Sequence, residues 1–74
     1  MMDYHFIAYY ADNPQITISG IGSGRTYNLC LADFIKNYLL EHKKTYVINC
    51  VQKITYTYPQ QLRMLKMVEA GEYE

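Results

Sequence analysis

The 74-residue chain has no tryptophan, two cysteines, two prolines and no net charge, since seven Lys+Arg balance seven Asp+Glu. Each shortage removes a class of function. Without excess positive charge there is no basic stripe of the kind with which general nucleic-acid binders displace counterions from phosphate. The basic residues are scattered, and the adjacent pair Lys43-Lys44 suits a helix C-terminus, where cations complement the dipole. Cys30 and Cys50 form no CxxC, and His5 and His42 stand far apart, so no metal site is expected and the thiols read as small buried hydrophobes. No apolar run approaches the roughly 18 residues of a transmembrane helix. The start, MMDYHFIAYY, carries an acid and no basic segment, unlike a secretory signal, so an intracellular protein without membrane contact is expected.

What remains is apolar and rich in tyrosine. Hydrophobic residues make up 50% of the chain, enough for a globular fold, and residues 1–74 read as one small domain. A domain this size buries only roughly 60% of its unfolded surface, so its core is thin. Nine tyrosines in so short a chain stand out. Tyrosine packs its ring while its hydroxyl stays wet, which suits a half-buried sheet and equally a protein interface.

Residues 4–11 are aromatic and β-branched and read as a strand. Asp12-Asn13-Pro14-Gln15 reads as a turn, and Ile16–Ser19 as the second strand of a hairpin, with Ile16 and Ile18 facing inward. GIGSGRTYN follows, a flexible glycine-rich connector by composition, with Asn28 able to cap a helix that runs to about Lys43. Leu31, Phe34, Ile35, Tyr38 and Leu39 give that helix its buried stripe, and Leu40 falls on the polar side. From Tyr46 to Tyr58 one strand phase holds Tyr46, Ile48, Cys50, Ile54, Tyr56 and Tyr58, and the other holds Val47, Asn49, Val51, Lys53, Thr55 and Thr57. The run is longer than the usual strand, so a bend, bulge or tight turn is expected near Cys50–Lys53. Ile48 and Ile54 should fill the core, with the terminal tyrosines straddling core and surface. Pro59 suits the first turn of a C-terminal helix carrying Leu62, Leu65 and Val68, Gly71 suits its stop, and the tail Glu72–Glu74 reads as loose.

The expected fold is α+β: an antiparallel sheet of three strands, or four if residues 46–58 form a hairpin, with one main helix across one face. The order is ββαβ(β), plus a short C-terminal helix. Only that last helix is left to cover the second face. Where it does not, Ile7, Tyr9, Val47 and Val51 form an exposed apolar patch, the usual mark of an interface.

Chemistry finds little support. Gly20-x-Gly22-x-Gly24 matches neither GxxxxGK[ST] nor GxGxxG, although Arg25 beside it could touch an anion. Nothing places a base beside Cys30, and no carboxylates pair locally, so neither catalysis nor a cofactor is expected. Met64 and Met67 read as adaptable apolar cover for the sheet, or as part of a docking helix.

One stretch resembles a known family. Tyr46-Val47-Ile48, Lys53 five residues on, then Pro59, Gln61, Leu62 and Arg63 resemble the C-terminal part of a small phage anti-CRISPR protein that acts on the type I-F surveillance complex. The order of hairpin, helix and further strands is similar too, while this chain adds a helix at its end. The resemblance implies a phage or mobile-element protein, located in the cytoplasm of a bacterial host, that blocks a host defence complex by protein contact and without chemistry. Tyr9, Lys53, Tyr56 and Arg63 are the candidate protein-binding residues, chosen for expected exposure. Two other readings remain open: a nucleic-acid module stacking bases on sheet aromatics with Lys53 and Arg25 at phosphate, and a homo-oligomer pairing through its open face or a strand edge.

Overall fold

A computed structural model describes residues 1–72 and shows an α+β fold. Strand β1 (Met2–Tyr10) turns at Ala11-Asp12 into β2 (Asn13–Gly24), helix α1 (Tyr27–Phe34) follows, and β3 (Tyr46–Asn49), β4 (Lys53–Tyr56) and α2 (Tyr58–Glu69) complete the chain. The four strands form one antiparallel sheet in the order β2-β1-β3-β4. The expected break at Cys50–Lys53 is a tight turn that makes β3 and β4 a hairpin, with Tyr46 opposite Tyr56 and Ile48 opposite Ile54.

The first hairpin differs from its sequence reading. Asn13 and Pro14 belong to β2, and the pairing slips between Tyr9 and Tyr10, so that Ile16 falls in the irregular stretch and is exposed while Ile18 packs against the core. Gly20–Gly24 is not a connector but the second half of β2. Its glycines recur at the strand period, on the side where the helix crosses. A Cβ on Gly22 would strike the carbonyl oxygen of Cys30, which is helix backbone and cannot swing aside. A Cβ on Gly20 would enter the Tyr38 ring, and one on Gly24 would come within 2.8 Å of Leu29 Cβ. The stripe is a groove in which the helix lies.

Because β2 runs to Gly24, the helix starts early and Thr26, not Asn28, caps it, its hydroxyl accepting from the Leu29 amide at 3.2 Å. The helix continues past Phe34 as a π-helical turn (Ile35–Leu39) and a 3₁₀ turn (Leu40–His42), and Lys43 ends it with a left-handed φ of 55°. The Leu40 amide reaches back to the Ile35 carbonyl. The widened turn keeps Leu39 in the core but moves Tyr38 to the rim, 38% exposed, where its ring lies 5.2 Å from that of Phe34. Leu40 is half-buried.

One core joins these layers. Phe6 and Ala8 of β1, Tyr46 and Ile48 of β3, Cys30, Leu31, Ala32 and Phe34 of α1, Ile35 and Leu39 of the π turn, and Met64 of α2 are buried together. Phe6 stacks on Phe34 at 5.1 Å between centroids. Each such large side chain contributes about 1.5–3 kcal/mol by leaving water. Tyr46 is wholly inside rather than straddling the surface, whereas Ile54, on the short outer strand, is 40% exposed because the helices do not reach over it.

Helix α2 starts in a capping box: the Thr57 hydroxyl accepts from the Gln60 amide, and the Gln60 side chain accepts from the Thr57 amide at 2.8 Å. Pro59 sits in its first turn as expected. Its buried face is Gln61 and Met64, with Leu65 and Val68 half-buried and Leu62 left outside. The Gln61 amide group explains the rotation. It donates to the Lys44 carbonyl at 2.9 Å and the Tyr56 carbonyl at 3.2 Å, tying α2 to the segment before β3 and to the end of β4. The helix stops at Gly71, and the Glu72 amide bonds the Met67 carbonyl. The remainder of the tail read as loose, Tyr73-Glu74, lies outside the described residues.

Candidate functional site

Both helices share the inner side of the sheet, and among the described residues no element covers the outer side. Strand alternation and register settle what stands there. Asp3, His5, Ile7 and Tyr9 of β1 lie beside Ser23, Ile21, Ser19 and Thr17 of β2, and Asn49 and Val47 of β3 continue the rows of Ile7 and Tyr9 to Lys53 and Thr55 of β4. Ile7 is 45% and Ile21 51% exposed, while Tyr9 and Val47 are half-buried by their neighbours. The Lys53 ammonium lies 5.8 Å from the centre of the Tyr9 ring. Its long side chain crosses β3 to do so, so the cation and the ring hold each other in place. At the far end the Ser23 hydroxyl donates to Asp3 Oδ1 at 2.5 Å. The face thus has an apolar and aromatic centre, hydroxyls around it, and one cation and one carboxylate near opposite ends.

Of the four candidate binding residues, Tyr9 and Lys53 come together on this face. Tyr56 and Arg63 do not join them. Tyr56 follows the inward phase opposite Tyr46, and with Arg63, Gln60, Met64 and Met67 it borders a groove of about 210 Å³ between β4 and α2. Val51, expected in the apolar patch, stands in the β3–β4 turn. Ile21, read as part of a connector, joins the patch instead; the period-two glycines around it were the signal that it sits in a strand.

The titratable groups of the interior are structural. The Cys30 thiol is pushed up by burial and by the nearby carboxylates, and it donates weakly to the carbonyls of Met2 at 3.4 Å and Gly24 at 3.7 Å. A thiol raised in this way is a poor nucleophile. Burial, and after it Tyr10, pushes the Tyr46 phenol well above the ordinary tyrosine value. Its hydroxyl sits beside Tyr10 without a hydrogen bond of good geometry, and Gln61 Oε1 is likewise buried without a donor. Among the described residues no three His, Cys, Asp or Glu gather as metal ligands would, and no helix is long and apolar enough to cross a membrane.

Comparison with known proteins finds no match for this chain among family models, curated proteins or solved structures.

Proposed function

We propose that the chain is a non-catalytic protein-binding module that docks through the outer face of its sheet. The observation that carries this reading is the one-sided layering. Both helices cover one face, yet Ile7, Ile21, Tyr9 and Val47 stand on the other, with the Tyr9 ring held under Lys53. A contiguous apolar centre with a polar rim is the anatomy of a protein interface. An aromatic already held in one orientation loses little freedom on binding.

The partner that the resemblance implies is a bacterial type I-F CRISPR surveillance complex, which a cytoplasmic phage or mobile-element protein would block by contact. That part of the reading rests on Tyr46-Val47-Ile48, Lys53, Pro59, Gln61, Leu62 and Arg63 and on the similar order of elements. The neutral charge separates such a mode of action from DNA mimicry, which requires dense negative charge.

The experiment is capture with tagged protein from nuclease-treated lysate containing the type I-F complex, repeated with Tyr9→Ala. Co-purification lost in the variant supports both face and partner. Retention of a different protein, again lost with Tyr9→Ala, keeps the face and removes the CRISPR partner. Binding to oligonucleotides with a steep salt dependence would replace the protein-docking reading with a nucleic-acid one.

A further inference from the structure

The two edges of the sheet are guarded very differently. Edge strands escape unwanted pairing by being short, charged or bulged. The β4 edge is four residues long and carries Lys53. The β2 edge is twelve residues long, and no charged residue occurs from Asn13 to Gly24.

Two devices narrow the open part of β2. At its start the pairing slips, and Pro14 lacks an amide hydrogen. At its end the Ser23 amide is taken by Asp33 Oδ2 of α1 at 2.9 Å. That bond also sets the phase. Backbone groups alternate sides along an antiparallel strand, so if Ser23 points away from β1, so do the amides and carbonyls of Ile21, Ser19 and Thr17. Those three residues are exposed, and their register with β1 is unbroken. Thr17–Ile21 is thus a straight, uncharged edge centred on Ser19, closed off at both ends.

We propose that this edge pairs antiparallel with the same edge of a second copy, with a two-fold axis at Ser19. Ser19 then lies opposite the partner's Ser19, and Thr17 opposite the partner's Ile21. The stretch is its own complement in this register, as an isologous interface requires. No charge on the strand meets its like, and the chain has no net charge, with an isoelectric point near 6.7, so long-range repulsion is small. Ile21, 51% exposed in one copy, gains cover from the partner's Thr17. The sheet becomes eight-stranded and its outer face continuous across the two copies. An interface of this size belongs to the weak class, so the association is concentration-dependent. It uses the edge rather than the face and is independent of the docking function above.

The test is sedimentation equilibrium from micromolar to millimolar protein, combined with amide hydrogen exchange. The expected mass rises from 8.7 kDa toward twice that value, and exchange at Thr17, Ser19 and Ile21 slows with concentration while that at Thr55 does not. Ser19→Lys places two cations opposite each other at the axis and raises the dissociation constant at least about tenfold. Its side chain points to the exposed outer face, so the fold is retained. Thr55→Lys adds the same charge on β4 and leaves association unchanged. A mass of 8.7 kDa at every concentration overturns the proposal, as does a dimer indifferent to Ser19→Lys.

Discussion

Three consecutive residues of β1 meet two different environments. Phe6 and Ala8 are fully buried beneath the helices, while Ile7 between them is 45% exposed on the outer face. Hydropathy does not separate Ile7 from Phe6; which side the helices occupy does. The inner face is made to be approached closely, with glycines where the helix lies, and it carries the stability. The outer face has an apolar centre that the fold does not use, so under the proposed function binding and stability fall on opposite sides of one sheet.

The harshest way to break this division is to fill the inner groove. Gly22→Ala sets a methyl group against the Cys30 carbonyl, and the helix must lift from the sheet. A loss on the order of 3 kcal/mol is expected in urea denaturation, a large fraction of the stability of so small a domain. Gly20→Ala meets only the half-exposed Tyr38 ring, which can swing outward, and costs less. Equal costs would show that the helix does not rest on backbone at Gly22. Gln61→Leu comes next. It strips the side-chain donor from the Lys44 and Tyr56 carbonyls, and about 2 kcal/mol should be lost in the same measurement. A neutral result would mean that α2 is held by the packing of Met64, Leu65 and Val68 without the Gln61 bonds.

A smaller effect concerns Tyr46 and pH. Its folded pKa is raised, chiefly by burial, so the folded chain keeps a proton that the unfolded chain releases above the ordinary tyrosine value of 10.0. The stabilisation is therefore fully present below pH 10 and falls as pH rises from there toward the raised value. Tyr46→Phe keeps the ring, removes a hydroxyl without a well-formed partner, and should leave neutral-pH stability almost unchanged while flattening the alkaline loss. Tyr27, also raised by burial, accounts for part of what remains. Thermal unfolding of both proteins across pH 9–12 checks this. On the outer face, Tyr9→Ala should shift stability by no more than about 1 kcal/mol yet weaken partner binding at least about tenfold. A binding loss matched by an equal stability loss would erase the division between the two faces.

The element order was legible because long periodic stretches announce themselves. The alternation holds over Tyr46–Asn49 and Lys53–Tyr56, while Cys50 falls in the turn between them and Tyr58 opens α2. Leu31, Phe34, Ile35 and Leu39 of the helical stripe are buried, and Pro59 stands at a helix start. What was not legible depends on contacts between elements. Glycines at Gly20, Gly22 and Gly24 have the composition of a loop, and only the helix above them shows that they are a groove. Tyr38 fits the apolar stripe of a regular helix, and one π turn displaces it. Gln61 looks like a surface residue until the two carbonyls beneath it are seen. The candidate site was half legible for the same reason. Tyr9 and Lys53 meet only because the tight turn after β3 sets the register of β4, whereas Tyr56 takes the inward phase by its pairing with Tyr46.

The strand order also prescribes a sequence of assembly. β1–β2 and β3–β4 are hairpins whose strands are joined by short turns, so each closes only a short loop. The seam that joins them, Ile7–Tyr10 against Tyr46–Asn49, brings together Tyr10 and Tyr46, 36 positions apart, with the whole first helix strung between. Closing so long a loop is entropically expensive before any contact repays it. The rate-limiting event in folding should therefore be the docking of the second hairpin onto β1, with the helix already collapsed over the first. Ala8 and Ile48, paired on the buried side of the seam, are then the residues whose truncation slows folding most.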